Sequence, residues 1–131
     1  MGGSADLGYV RITMVHADHC TGAQPMMDSS SGSSGKSARS SGSESMMSTS
    51  ALSFSGGAAA GWVISIPQGG PTIYHTGDTN VFSDMALIDS LYRPSHVLLP
   101  IGGQCTMGPY EAATACKKYL PNCHTVIPMH F

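Results

Sequence analysis

At 131 residues the chain is sized for one domain at most. Its charged fraction is 11%, partly diluted by a serine-rich tract, against roughly 25% in an average globular protein. Six Lys and Arg against eight Asp and Glu leave a net charge of -2, without the basic stripe that nucleic-acid binding requires. No apolar run approaches the roughly 18 residues of a membrane-spanning helix, and no charged-then-apolar leader opens the chain. The expectation is a cytoplasmic protein with no membrane or nucleic-acid partner. Cys20, Cys105, Cys116 and Cys123 form no CxxC pair and share no regular spacing, which argues against a zinc knuckle or a disulfide framework.

Asp6 to Val15 is predicted as one strand, with Val10, Ile12 and Met14 alternating against Arg11 and Thr13. It runs into the polar, turn-prone segment His16-Ala17-Asp18-His19-Cys20-Thr21-Gly22. Strand alternation carried past His19 would point Cys20 to the opposite face. From Asp28 to Ser50 the composition collapses into Ser and Gly, too polar to offset the entropy of ordering. That tract, 28–50, is expected to be a disordered low-complexity insertion in a surface loop. Order is predicted to resume at Gly56. Gly61 to Ile66 forms a β-branched strand, Pro67-Gln68-Gly69-Gly70 a turn, and Thr72 to His75 the returning arm of a hairpin. Ser83 is placed as the cap of a helix to about Tyr92, with Met85, Ile88 and either Leu91 or Tyr92 on its inner face and Pro94 as the stop.

His96 to Ile101 is almost wholly apolar, as for a strand covered on both faces, and ends in Gly102-Gly103. Pro109 suits the first turn of a second helix carrying Ala112, Ala113, Cys116, Tyr119 and Leu120. Pro121-Asn122 ends it, and Thr125 to Met129 forms a last buried strand that delivers His130. Hairpin, helix, strand, helix, strand is an α/β order, with helices layered on a sheet. Ligands in such sheets gather beyond the carboxyl ends of the strands, where Asp78, Gly102-Gly103 and His130 fall. His19 also follows a strand, whose direction relative to the others the sequence leaves open. Imidazole and carboxylate together suit zinc or another first-row metal, and such an ion acidifies bound water to a pKa near about 7. Each residue alone has an ordinary structural reading: Asp78 as a turn former, the histidines as hydrogen-bonded structural groups.

Five segments in order carry a more specific signal. They are Val10-Arg11-Ile12-Thr13-Met14-Val15-His16-Ala17-Asp18-His19, Tyr74-His75-Thr76-Gly77-Asp78-Thr79-Asn80-Val81-Phe82-Ser83-Asp84-Met85, Leu99-Pro100-Ile101-Gly102-Gly103, Thr106-Met107-Gly108-Pro109 and Val126-Ile127-Pro128-Met129-His130. Together they resemble the metallo-β-lactamase superfamily, in its branch of metal-dependent, lactonase-like hydrolases. The likeness covers nearly everything outside the Ser-rich tract.

The resemblance implies an α/β fold, an αββα sandwich with a one- or two-metal site between the sheet edges. Residues 1–131 would supply its C-terminal half. His19 resembles the ligand that completes the first metal's shell, Asp78 the carboxylate that bridges two metals, and His130 the last histidine, on the second metal. His75 and Thr79 are candidates for supporting contacts behind those ligands. Zinc is the first expectation, with manganese, iron or nickel as alternatives. The implied activity is attack of metal-activated water on an ester, lactone or phosphodiester bond of a small-molecule substrate; homo-oligomerisation is left open.

His16-Ala17-Asp18-His19 also reads as the tail of the superfamily's HxHxDH motif, but the first histidine of that motif would fall on Met14. The flanking residues match the later single-histidine motif instead, which leaves His16 and Asp18 in supporting or structural roles. HxHxDH is then absent from these residues, so an incomplete site is expected, inactive as this chain alone. The alternatives are a degenerate, non-catalytic α/β binding module or a truncated gene product. Cys105 stands where the family usually carries an aromatic residue.

Overall fold

The computed structural model describes residues 2–20, 22–23 and 54–131. The Ser/Gly-rich insertion expected over 28–50 lies outside the described residues. The elements are β1 (Ser4–Asp6), β2 (Arg11–His16), β3 (Gly22–Ala23), β4 (Phe54–Ser55), β5 (Ala60–Ser65), β6 (Thr72–His75), α1 (Met85–Tyr92), β7 (His96–Pro100), α2 (Pro109–Tyr119) and β8 (Thr125–Met129). The chain divides into two compact units, Met1–Thr21 with Gly57–Phe131, and Gly22–Gly56. In the second unit β3 and β4 form an antiparallel pair, Gly22 opposite Ser55 and Ala23 opposite Phe54.

The first unit is built on one six-stranded sheet in the order β1-β2-β5-β6-β7-β8. β5 runs antiparallel to both β2 and β6, whereas β6, β7 and β8 are mutually parallel. β2 therefore runs in the same direction as β6, which settles the orientation that the sequence left open. The carboxyl ends of β2, β6, β7 and β8 all reach the same edge of the sheet.

The predicted strand from Asp6 to Val15 is instead two strands. Leu7 N–H donates to the Val10 carbonyl at 2.9 Å and closes a turn in which Gly8 takes φ 83°. The Asp6 carboxylate reinforces it, accepting from the Gly8 amide at 2.9 Å and from Arg11 Nη2 at 2.9 Å. Those contacts, the amide first, hold the Asp6 carboxyl below the usual range. A turn residue interrupting the apolar alternation outweighed the alternation itself.

Ser83 does not cap α1. The helix begins at Met85, its N-cap Asp84 makes no side-chain cap bond, and the Ser83 hydroxyl donates to the Asp84 carboxylate at 3.2 Å. The first turn closes through the backbone, Met85 N–H to the Phe82 carbonyl at 3.3 Å and Ala86 N–H to the Ser83 carbonyl at 3.1 Å. Arg93 ends the helix in the left-handed region at φ 47°, one residue before Pro94. α2 begins as expected with Pro109 at its start, an acidic Glu111 in the first turn and Lys117 and Lys118 in the last, matching the helix dipole. Its buried face is Ala112 and Ala115, with Cys116 half-buried and Ala113 exposed.

Both helices pack on one face of the sheet. Val15, Val63, Tyr74, Val97 and Leu99 from the strands meet Met85 and Ile88 of α1 and Ala112, Ala115 and Leu120 around α2. Burying an aliphatic side chain of this kind is worth about 1.5–3 kcal/mol, so this layer is the main stabilising contact of the unit. The opposite face is less covered. Its cross-strand rows run Ile12-Ile64-Ile73-His96 and Met14-Trp62-His75-Leu98-Ile127, with Trp62 42% and Ile127 45% exposed. β7 is accordingly covered on one face rather than two: Val97 and Leu99 are fully buried, His96 and Leu98 only partly. β8 is an edge strand and not a buried one, with Thr125 through Pro128 exposed. Its Pro128 is tolerated there because an edge has no further strand to receive an N–H.

Candidate functional site

The strand ends are shaped by residues that let backbone approach backbone. After β6, Thr76 is fully buried; its amide and hydroxyl both donate to the Leu98 carbonyl, at 3.2 and 3.1 Å. Gly77 follows at φ 69°, with a Cβ position that would overlap the Ala60 carbonyl oxygen. Only glycine combines that conformation with that clearance. Its amide donates to His75 Nδ1 at 3.1 Å, which occupies the nitrogen nearer the backbone and braces the turn. The chain then presents Asp78 at the sheet edge, its side chain 48% exposed.

From the far side, β8 delivers His130. Ile101 N–H donates to the Met129 carbonyl at 3.1 Å, extending the β7–β8 pairing to the last turn. Gly102 lies so close to the next peptide that a Cβ there would overlap the His130 carbonyl oxygen. His130 itself adopts φ 53°, uncommon for a residue other than glycine and tolerated chiefly where the surroundings demand it. The outcome is a facing pair: His130 Nε2 stands 3.6 Å from Asp78 Oδ2, both side chains about half exposed. That is too long for a good hydrogen bond. Two ligands of one tetrahedral ion, each at about 2.0–2.2 Å, stand roughly 3.3 Å apart, so the donor set and its spacing fit a shared metal.

The third expected ligand is placed differently. His19 lies half-buried in the loop after β2. Among the described residues no three His, Cys, Asp or Glu side chains gather into a metal-holding group. The His19 loop is nonetheless fastened beside Asp78. Asp18 N–H donates to Thr79 Oγ1 at 2.8 Å, and Asn80 N–H donates to the Asp18 carbonyl at 2.8 Å. Asp18 thus serves through its backbone while its side chain is exposed, and His16 packs edge-on against Phe82 with ring centroids 5.2 Å apart. Cys20 is exposed beyond the end of β2, where strand alternation no longer governs its direction. Cys105 is exposed in the loop after β7.

His75 supports Gly77 rather than touching the Asp78 carboxylate, and Thr79 is fully buried. The glycines at 77 and 102 are structurally as decisive as the ligand candidates. Their sequence signal is position: each follows within two residues of a strand that ends at the shared edge. A cleft of about 340 Å³ lies elsewhere, between α1 and α2, bordered by Asp89, Arg93, Lys118 and Asn122. There the buried Asp89 carboxylate is engaged by Asn122, whose Nδ2 donates at 2.6 Å.

Sheet order, parallel strand ends and a facing carboxylate–imidazole pair are features of a recognisable architecture. A profile described as the β-lactamase superfamily domain matches residues 2–130. The chain belongs to the metallo-β-lactamase superfamily. It is 44% identical over 130 residues to a UPF0173 metal-dependent hydrolase of Solibacter usitatus, a match covering 99% of this chain and 45% of that protein. A hydrolase of the same description from Methanosarcina barkeri is 55% identical over 82 residues, 63% of this chain and 34% of that one. Among solved structures, Igni18, a metallo hydrolase from the archaeon Ignicoccus hospitalis, aligns with a TM-score of 0.66 at 29% identity, covering 100% of this chain and 43% of its own. An isothiocyanate hydrolase from Delia radicum gut bacteria shares the fold, with a TM-score of 0.61 at 19% identity over 100% of this chain and 44% of that one. This metallo-β-lactamase-type chain spans less than half the length of the relatives it matches. No helix among its described residues is long and apolar enough to cross a membrane.

Proposed function

We propose that this chain contributes Asp78 and His130, with His19 from the neighbouring loop, to the metal site of a hydrolase acting on an ester, lactone or phosphodiester bond of a small molecule. The observation that carries the reading is the 3.6 Å approach of His130 Nε2 to Asp78 Oδ2 at the edge where four strand ends meet. Membership in the superfamily and the description of its relatives as metal-dependent hydrolases support it. The ion is a divalent first-row metal, zinc before manganese, iron or nickel, since one imidazole nitrogen and one carboxylate oxygen suit that group. When bound, such an ion supplies Lewis-acid polarisation of the substrate and acidification of water.

The chain's own residues act by holding donors in place. The Asp78 carboxylate offers two oxygens, enough to serve two ions, and the Gly77 turn braced by His75 fixes where it points. Gly102 lets the His130 peptide settle against the β7 loop, which carries the imidazole across to Asp78. The HxHxDH run that the resemblance implies for the rest of the shell does not occur in these residues. The test is elemental analysis of the full-length natural protein beside its Asp78→Ala variant. Stoichiometric divalent metal in the parent, with the second ion lost and turnover reduced by about 10²-fold or more in the variant, is the expected result. A parent with no bound metal would replace this reading with that of a non-catalytic module, and a fully loaded, fully active variant would remove Asp78 from the site.

A further inference from the structure

Thr79 occupies a position out of proportion to its size. It is fully buried, and both its hydroxyl and its carbonyl are hydrogen-bonded there. Its hydroxyl accepts the Asp18 amide at 2.8 Å and donates to the Asn80 carbonyl at 2.8 Å. Its carbonyl accepts the Met107 amide at 3.0 Å, and the Met107 carbonyl in turn accepts the Gly103 amide at 3.0 Å. The Asn80 amide returns to the Asp18 carbonyl at 2.8 Å, closing a ring of two bonds between the loops. One residue thereby ties together the loop that carries Asp78, the loop that carries His19 and the loop after β7 whose Gly102 packs on His130. A hydroxyl on a β-branched side chain suits this work, because its χ1 is stiff and its direction is set by burial.

We propose that Thr79 is the positioning residue of this site, its hydroxyl setting the distance between the His19 loop and the Asp78–His130 pair. The inference rests on the metal-site reading above and goes further, by assigning the geometry of the site to a group that touches neither metal nor substrate. Valine in place of Thr79 keeps the shape but can neither accept from Asp18 nor donate to Asn80. Serine retains both bonds.

The experiment is zinc titration of the full-length natural protein, metal-free at the start, in parent, Thr79→Val, Thr79→Ser and Asp78→Ala forms. It is paired with amide hydrogen exchange of the parent in its metal-free and zinc-loaded forms. Asp78→Ala should lose zinc affinity, Thr79→Val should bind about 10–100-fold more weakly than the parent, and Thr79→Ser should recover most of that loss. Zinc loading of the parent should slow exchange at the Asp18 and Met107 amides, because a clamp coupled to the site must be tightened by its ligand. Unchanged zinc affinity in Asp78→Ala would overturn the metal-site reading itself. With Asp78→Ala impaired, parent-like affinity in Thr79→Val, or equal loss in Thr79→Val and Thr79→Ser, would overturn the role of the hydroxyl alone. Should Thr79→Val fail to fold, the exchange measurement decides: no change at Asp18 and Met107 on loading overturns the proposal.

Discussion

Single residues at the strand ends differ in how visible they are in the sequence. Asp78 and His130 stand out in the sequence because each follows an apolar run ending at a turn, and the structure brings the two side chains to 3.6 Å. Thr79 was legible only as a neighbour of Asp78, since the amide its hydroxyl accepts lies 61 residues away in the chain. No local pattern encodes a partner at that separation. The buried Tyr74 shows the opposite case, a polar atom with no partner among the described residues. Its ring fills the core under the helices, its hydroxyl makes no hydrogen bond, and burial pushes its pKa upward. Tyr74→Phe should therefore leave the fold intact and gain about 1 kcal/mol in urea unfolding, the order of an unsatisfied buried donor. A clear loss of stability would mean that the hydroxyl is bonded in solution.

Elements were readable where periodicity and breakers agreed, and misread where a single turn residue overrode the period. α2, with Pro109 at its start and Pro121 beyond its end, and the strands β6 and β8 fall where the sequence puts them. The β1–β2 hairpin was hidden because the alternation of Val10, Ile12 and Met14 was carried back to Asp6 across the Gly8 turn. β8 reads as buried from its Val and Ile, yet lies at the edge; composition does not encode strand order. The face of α1 was left open between Leu91 and Tyr92, and packing chooses Tyr92, with Leu91 64% exposed. Leu99→Ala, at the centre of the helix-covered face, should cost about 2–5 kcal/mol in denaturant unfolding, whereas Leu91→Ala should stay within about 0.5 kcal/mol. Equal effects would contradict the assignment of the core to one face of the sheet.

For the domain as a whole, the sheet has one face sealed by two helices and one face carrying Ile12, Met14, Trp62, Ile64, Ile73 and Leu98 in two cross-strand rows. That asymmetry is what half of an αββα sandwich presents, and it accompanies a match to less than half the length of the relatives. At the sheet edge two donors face each other, and the family's HxHxDH run is absent from the sequence. The central claim is that one metal ion is shared between Asp78 and His130. Anomalous scattering at the zinc edge, from crystals of the full-length natural protein grown with zinc, tests it most directly. A peak about 2.0–2.2 Å from both an Asp78 carboxylate oxygen and His130 Nε2 is the predicted result; zinc bound elsewhere, with no peak between these two side chains, would contradict it.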